Sequence, residues 1–256
     1  MAFIILGASI PSFYITAFLY AISLTIAFSP LGEWILKIVN HARPLKTREE
    51  IDYLMPIFED VYCNALKLYP SLNKNIKLHI IDDLSINAFA IGRSIIAVNT
   101  GMVEAMSEEE IKGILAHEFG HISNGDTKAL LLSVVGNGVF SLAFLLIKGI
   151  LSLLEFILKL TGTGAHLIFT GIKWVFGVVV FIFMYIGQII LSINSRKNEY
   201  RADSFAYDIG NGNNLLEALY LLQKLNMNKK MSLNDKLKSS HPHITDRIQR
   251  LENLVY

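Results

Sequence analysis

The sequence predicts an α+β domain that is cut in two by a transmembrane helical hairpin and preceded by an N-terminal transmembrane segment. Three observations lead there. The 256 residues are 52% hydrophobic and only 18% charged, with a mean hydropathy of +0.43. That is too apolar for an ordinary soluble domain and too charged for a chain lying wholly in a bilayer. Three long apolar stretches are separated by polar segments of mixed helical and alternating pattern. Metal-ligating residue types stand on both sides of the second and third stretches, in His117-Glu118-Phe119-Gly120-His121 and in Glu199 to Asp203.

The first stretch, Met1 to Gly32, carries no charged side chain. Its length of about thirty residues is enough to cross a bilayer with some tilt. It lacks the basic start and short apolar core of a cleavable signal peptide and is expected to be a retained anchor. Two spans hinged near Pro11 would each be too short. The second and third stretches run from about Ala129 to Leu158 and from about Ala165 to Ile193, joined by Thr161-Gly162-Thr163-Gly164. This is the pattern of a membrane hairpin. Residues 1–32 are thus expected to be the N-terminal span, 33–128 and 196–256 the two parts of a soluble domain, and 129–195 the hairpin. Lys148, Glu155 and Lys173 fall inside the spans and are expected to reach toward the interface.

Basic residues set the orientation. Lys37, Arg43, Lys46 and Arg48 follow the first span, Lys128 precedes the second, and Arg196, Lys197 and Arg201 follow the third. The hairpin's connection offers only Lys159. The positive-inside bias places both soluble parts in the cytoplasm, on one side of the membrane.

Within the soluble parts, Thr47-Arg48-Glu49-Glu50 opens a helix that runs to Leu68, Ile76 to Ile81 alternates like a strand, and Ala88 to Val98 reads as a hairpin turning at Gly92-Arg93. Ser107-Glu108-Glu109-Glu110 is a capped start for the helix bearing His117 and His121. Further helices are expected near Asn198 to Asp208, Asn213 to Leu225 and His243 to Leu254. The single cysteine, Cys63, excludes an internal disulfide and is expected to be a packing residue. A net charge of +1 gives no reason to expect nucleic acid as a partner.

Histidines four apart share one helix face, so both imidazoles of His117 and His121 can reach a single ion. Glu118 is angled away from ligation but can touch a water in the ion's open position, where a hydrolase needs its base. Ile114, Leu115, Phe119 and Ile122 surround the pair, and buried imidazoles without a partner are costly. A third ligand is required. Glu199 and Asp203 are four apart on a predicted helix, and like charges at that spacing make most sense near a cation. One carboxylate can bind the ion while the other accepts a hydrogen bond from the far nitrogen of a ligand histidine.

These segments together resemble the integral-membrane zinc peptidases of the HtpX-like group, related to the CAAX prenyl proteases and of the gluzincin type. Further matches are Asn87-Ala88-Phe89-Ala90 before Gly92, Asn124-Gly125-Asp126, and Ser240-His241-Pro242 with Arg247. The resemblance implies a zincin-like catalytic domain and one Zn2+ per chain held by His117, His121 and Glu199. It implies Glu118 as general base, Asp203 in support of a ligand, and His241 as oxyanion stabiliser or substrate-positioning group. Arg247 would pair with a nearby acid. Asn87, Ala88, Phe89 and Ala90 would line the cleft and take substrate as an added strand. HtpX-like chains usually show two amino-terminal spans, whereas one is read here. The function implied is hydrolysis of peptide bonds in proteins, damaged membrane proteins in particular. A prenyl-protein protease and an inactive metal-binding scaffold are the alternatives.

Overall fold

The structure is a computed structural model that describes residues 21–22, 25–127, 131, 137–160, 162, 164, 166–168, 170–171, 174, 197–227 and 244–255. The chain divides into two compact units, Met1–Ile35 with Ala129–Ser192, and Leu36–Lys128 with Ile193–Tyr256. Most of the expected first and third spans, together with His241, lie outside the described residues.

The second unit carries a four-stranded sheet. Helix α1 (Pro30–Val39) leads into it. Asn40 donates its side-chain amide to the Leu36 carbonyl at 2.8 Å, and His41 takes a left-handed φ of 54° to turn the chain. The strands are β1 (Arg43–Pro44), β2 (Lys77–Ile81), β3 (Ala88–Ile91) and β4 (Ile95–Asn99), in the spatial order β1-β2-β4-β3. β2 and β4 run parallel at the centre, and β1 and β3 pair antiparallel at the edges. β3 and β4 form the hairpin expected from the sequence, and Gly92 supplies the left-handed φ of 62° its turn needs.

Two capping boxes start the long helices. Thr47 and Glu50 close one on α2 (Arg48–Leu68). After the short α3 (Thr100–Ala105), Ser107 and Glu110 close the other on α4 (Glu108–Asn124). Each box satisfies amide groups that a helix start leaves without partners. Glu50 also joins a cluster with Arg43, which bonds Asp82 as well, fastening β1 to α2 and to the end of β2. The Arg43 guanidinium and the Lys46 amide hold the Glu50 carboxyl down at about 2. α2 lies on α4 through Phe58, Tyr62 and Phe119, with the Tyr62 and Phe119 rings stacked 5.2 Å apart. Cys63 does not pack as expected. It is exposed on α2, because the buried stripe of that helix runs through Leu54, Ile57, Phe58, Val61 and Ala65 and leaves position 63 outside it.

Beyond residue 196 come α6 (residues 197–206), a π-helical turn (Tyr207–Asn211), α7 (Gly212–Met227) and α8 (Ile244–Val255). Gly210 breaks the run with a φ of 85°, which lets α7 leave at a new angle and lie along α4. Buried side chains from residues before 123 and after 204 form one core, so two pieces far apart in sequence build a single hydrophobic interior.

In the first unit, α5 (Asn137–Leu160) has 24 residues and includes Lys148, Glu155 and Lys159. Among the described residues no helix is long and apolar enough to cross a membrane. Lys148 is exposed, but Glu155 departs from expectation. It is 8% exposed and accepts a 2.6 Å hydrogen bond from Thr170. A carboxylate so held is partnered inside the unit.

Candidate metal centre

α4 presents its middle to the rest of the core, and His117 and Glu118 are each only 2% exposed. α6 crosses it closely. A methyl group on Gly120 would stand 2.8 Å from the Ala202 Cα, so only glycine permits this approach. The approach places Glu199 beside both histidines. Its Oε2 is 3.4 Å from His117 Nε2, and its Oε1 is 3.5 Å from His121 Nε2. The ligand atoms of His117, His121 and Glu199 all lie within 4.8 Å of one another.

The far nitrogens of both rings face carboxylates. His117 Nδ1 is 2.9 Å from Asp203 Oδ1, and His121 Nδ1 is 3.2 Å from Asp126 Oδ2. Carboxylates in those places assign the hydrogens to Nδ1 and leave both Nε2 atoms as lone pairs. These two Nε2 atoms are only 3.0 Å apart. Two ring nitrogens and a carboxylate converging on one point favour a positive charge between them, a shared proton or a metal ion, and two imidazoles with a carboxylate are a donor set suited to zinc. The residues therefore fit a metal ion.

Arg247 of α8 completes the cluster. It is 2% exposed and donates to Asp203 Oδ2 from Nε at 2.9 Å and to Asp203 Oδ1 from Nη2 at 2.7 Å. Its Nη1 lies 2.9 Å from Glu199 Oε2. Burial alone would push the Asp203 carboxyl up, but the Arg247 charge and the bond to His117 bring it below the ordinary value. For His117, burial and the Arg247 charge act to lower the pKa, while the bonds to Asp203 and Glu199 outweigh them and hold it at about 9. A folded value above the ordinary 6.5 means that the protonated ring stabilises the fold fully below pH 6.5 and that this stability is lost as pH rises through 9. In chelator-treated protein the unfolding midpoint is expected to fall between pH 6.5 and 9, by up to about 3 kcal/mol of stability. A midpoint that rises across that window would contradict the assignment.

Glu118 points the other way, toward the sheet edge. Its Oε2 accepts a 2.9 Å hydrogen bond from the Ala90 amide of β3. Asn87 O accepts from Asn99 N at 3.0 Å, so residues 87, 89 and 91 bond to β4 while 88 and 90 turn their backbone groups to the edge that has no strand partner among the described residues. The structure thus brings His117, Glu118, His121, Glu199, Asp203, Arg247 and the strand at Ala88–Ala90 together. Sequence reasoning missed the part played by Asp126 and by Arg201, whose Nη2 donates to Asp126 Oδ1 at 2.8 Å. The signal was present. Gly125 ends α4 in a left-handed conformation with φ of 73°, which folds Asp126 back beneath His121.

The comparisons with known proteins fall on this same region. The model of peptidase family M48 matches residues 58–255. The chain belongs to peptidase family M48. Among M48-type relatives, a protease HtpX homolog of Bacillus licheniformis is 30% identical over 201 residues, covering 71% of this chain and 64% of the relative. Protease HtpX of Haemophilus influenzae is 33% identical over 186 residues, covering 66% of this chain and 64% of the relative. The chain therefore spans just under two thirds of the length of these curated relatives. The crystal structure of S. mikatae Ste24p is similar in fold, with a TM-score of 0.54 at 21% identity, covering 94% of this chain and 58% of that one. This likeness, with the M48 match, supports a zincin-like protease fold for the matched region.

The closeness of α4 and α6 in this M48 chain gives a direct test. Gly120→Ala improves helix propensity by about 1 kcal/mol, yet it must drive the Ala202 backbone away from the histidines. The expected result is a net destabilisation of about 1–3 kcal/mol and faster loss of metal to a chelator. Retention of metal equal to the parent protein would show that α6 can move without disturbing Glu199.

Proposed function

We propose that the chain is a membrane-bound zinc endopeptidase whose active site faces the cytoplasm, with one Zn2+ per chain held by His117, His121 and Glu199. The observation that carries this reading is the convergence of those three donors beside Glu118 and the unpaired edge of β3. Zinc at such a site supplies Lewis-acid polarisation of a water molecule and of the scissile carbonyl. Glu118 accepts the proton of the attacking water on its carboxylate and passes it to the leaving amine. Asp203 and Asp126 keep the ring protons on Nδ1 and so keep Nε2 available. Arg247 fixes Asp203 and Glu199 in place. By resemblance, His241 holds the developing negative oxygen.

Substrate is proposed to add as a strand along Ala88–Ala90, where the backbone groups of Ala88 and the Ala90 carbonyl lie on the unpaired edge. Recognition through main-chain bonds suits a protease that accepts many sequences. A membrane setting is supported by the charge-free stretches 1–32 and 174–195 and by the inside-out character of α5. On that helix Leu142, Leu145, Leu146, Ile150, Leu153 and Phe156 are each 59–63% exposed on one face, while Glu155 is buried on the other. Apolar side chains turned outward over a partnered carboxylate suit a lipid surrounding. Damaged or misassembled membrane proteins are the proposed substrates, in keeping with that setting.

The test is purification in detergent, zinc quantitation, and cleavage of casein with and without chelator. One zinc per chain and chelator-sensitive cleavage are expected. Bound zinc without cleavage of any unfolded protein would favour a metal-binding scaffold instead.

A further inference from the structure

The side of α6 that does not face the histidines borders a separate cavity of about 380 Å³, lined by Lys197, Tyr200 and Arg201 together with Asn124 at the end of α4 and Arg250 of α8. Three cations meet there, of which Arg201 is paired with Asp126; the one carboxylate lining the cavity, Asp208, already accepts a 2.8 Å hydrogen bond from the Tyr69 hydroxyl. Among the described residues neither Lys197 nor Arg250 has a carboxylate within ion-pair distance. Arg201 bonds Asp126 and Asn198 through the same nitrogen, Nη2. Arg250 is held with its Cζ 4.7 Å from the centre of the Tyr200 ring, a contact that fixes the guanidinium plane and leaves its N–H edge available. Like charges gathered in a concave site repel one another unless an anion enters between them. A planar donor fork, a second guanidinium, an ammonium and a side-chain amide together match the oxygens of a phosphate.

We propose that this cavity binds a phosphate group, with Lys197, Arg201 and Arg250 as its ligands. The phosphate comes either from solution or from an anionic lipid headgroup. The lipid source rests on the membrane reading given above, in which Lys197 follows closely after the end of the second hairpin span at Ile193. The cavity's affinity for phosphate does not depend on that reading. Arg201 is linked to the metal centre through Asp126 and His121, so the variants that test the cavity are made at Lys197 and Arg250, which touch no metal-ligand candidate.

The full chain in detergent is titrated with inorganic phosphate and followed by the ³¹P line width. In parallel, its unfolding midpoint is compared in nanodiscs of phosphatidylcholine with and without phosphatidylglycerol. Both are repeated with the double variant Lys197→Gln/Arg250→Gln, and zinc content is measured in every sample to keep the state of the metal centre separate. Saturable phosphate binding that weakens tenfold or more in the double variant supports the site. A phosphatidylglycerol-dependent rise in midpoint, present in the parent and absent in the double variant, supports it with lipid as the source. If neither probe acts on the parent, or the double variant responds as the parent does while zinc stays bound, the proposal is overturned.

Discussion

Glu118→Gln is expected to keep a full complement of zinc while casein cleavage falls by at least about 10²–10⁴-fold, the usual contribution of a positioned proton-transfer group. The amide is nearly the same shape as the carboxylate, and its oxygen can still accept the Ala90 amide proton that Glu118 accepts at 2.9 Å. The fold and the sheet edge are therefore left in place, and what disappears is the ability to take up a proton. Zinc content, unfolding midpoint and turnover are measured on one preparation. Near-normal turnover with zinc bound would remove Glu118 from its proposed role. Loss of zinc would mean that the side chain also shapes the ligand set.

Arg247→Met is expected to cost about 3–5 kcal/mol of stability, because it takes one partner from a buried ion cluster and leaves the others uncompensated. The methionine fills much of the same space, so the loss reports charge more than volume. Asp203 is 2% exposed and Glu199 5% exposed, and both bond the guanidinium directly. A fall in the unfolding midpoint on the order of 10 °C follows from that cost. Arg247→Lys keeps the charge but cannot span both carboxylates with a planar fork, so an intermediate fall is expected. If the methionine variant unfolds within a degree or two of the parent, the cluster is solvated in a way its burial does not reveal.

Local chemistry made much of this chain legible. The capping boxes at Thr47 and Ser107 announce the starts of α2 and α4 because a hydroxyl and a glutamate three residues on satisfy helix amides within a single turn. The His117 to His121 spacing and the Glu199 to Asp203 spacing are likewise properties of one helical turn. By contrast, β1 is two residues long and has no period to detect. The π turn at Tyr207–Asn211 falls at the break between the two helices the sequence predicts, but its π geometry and the left-handed Gly210 within it follow no sequence period. Asp126 reaches His121 by folding back past a helix end, a placement no periodicity describes. The pairing of Arg247 with Asp203 joins residues 44 apart, and family resemblance pointed to Arg247 without specifying its partners.

Arg247 stands 130 residues after His117 in the chain. Synthesis on the ribosome therefore delivers the histidine helix long before the guanidinium that balances its carboxylates. During that interval α4 lacks α6, α7 and α8, and the core they share with the sheet cannot close. A nascent chain thus carries the histidines without the helices that later pack against them. On the proposed peptidase reading, Asp203 and Glu199 gain their buried counter-charge only once residue 247 has been made, so the metal centre is among the last parts of the chain to be completed.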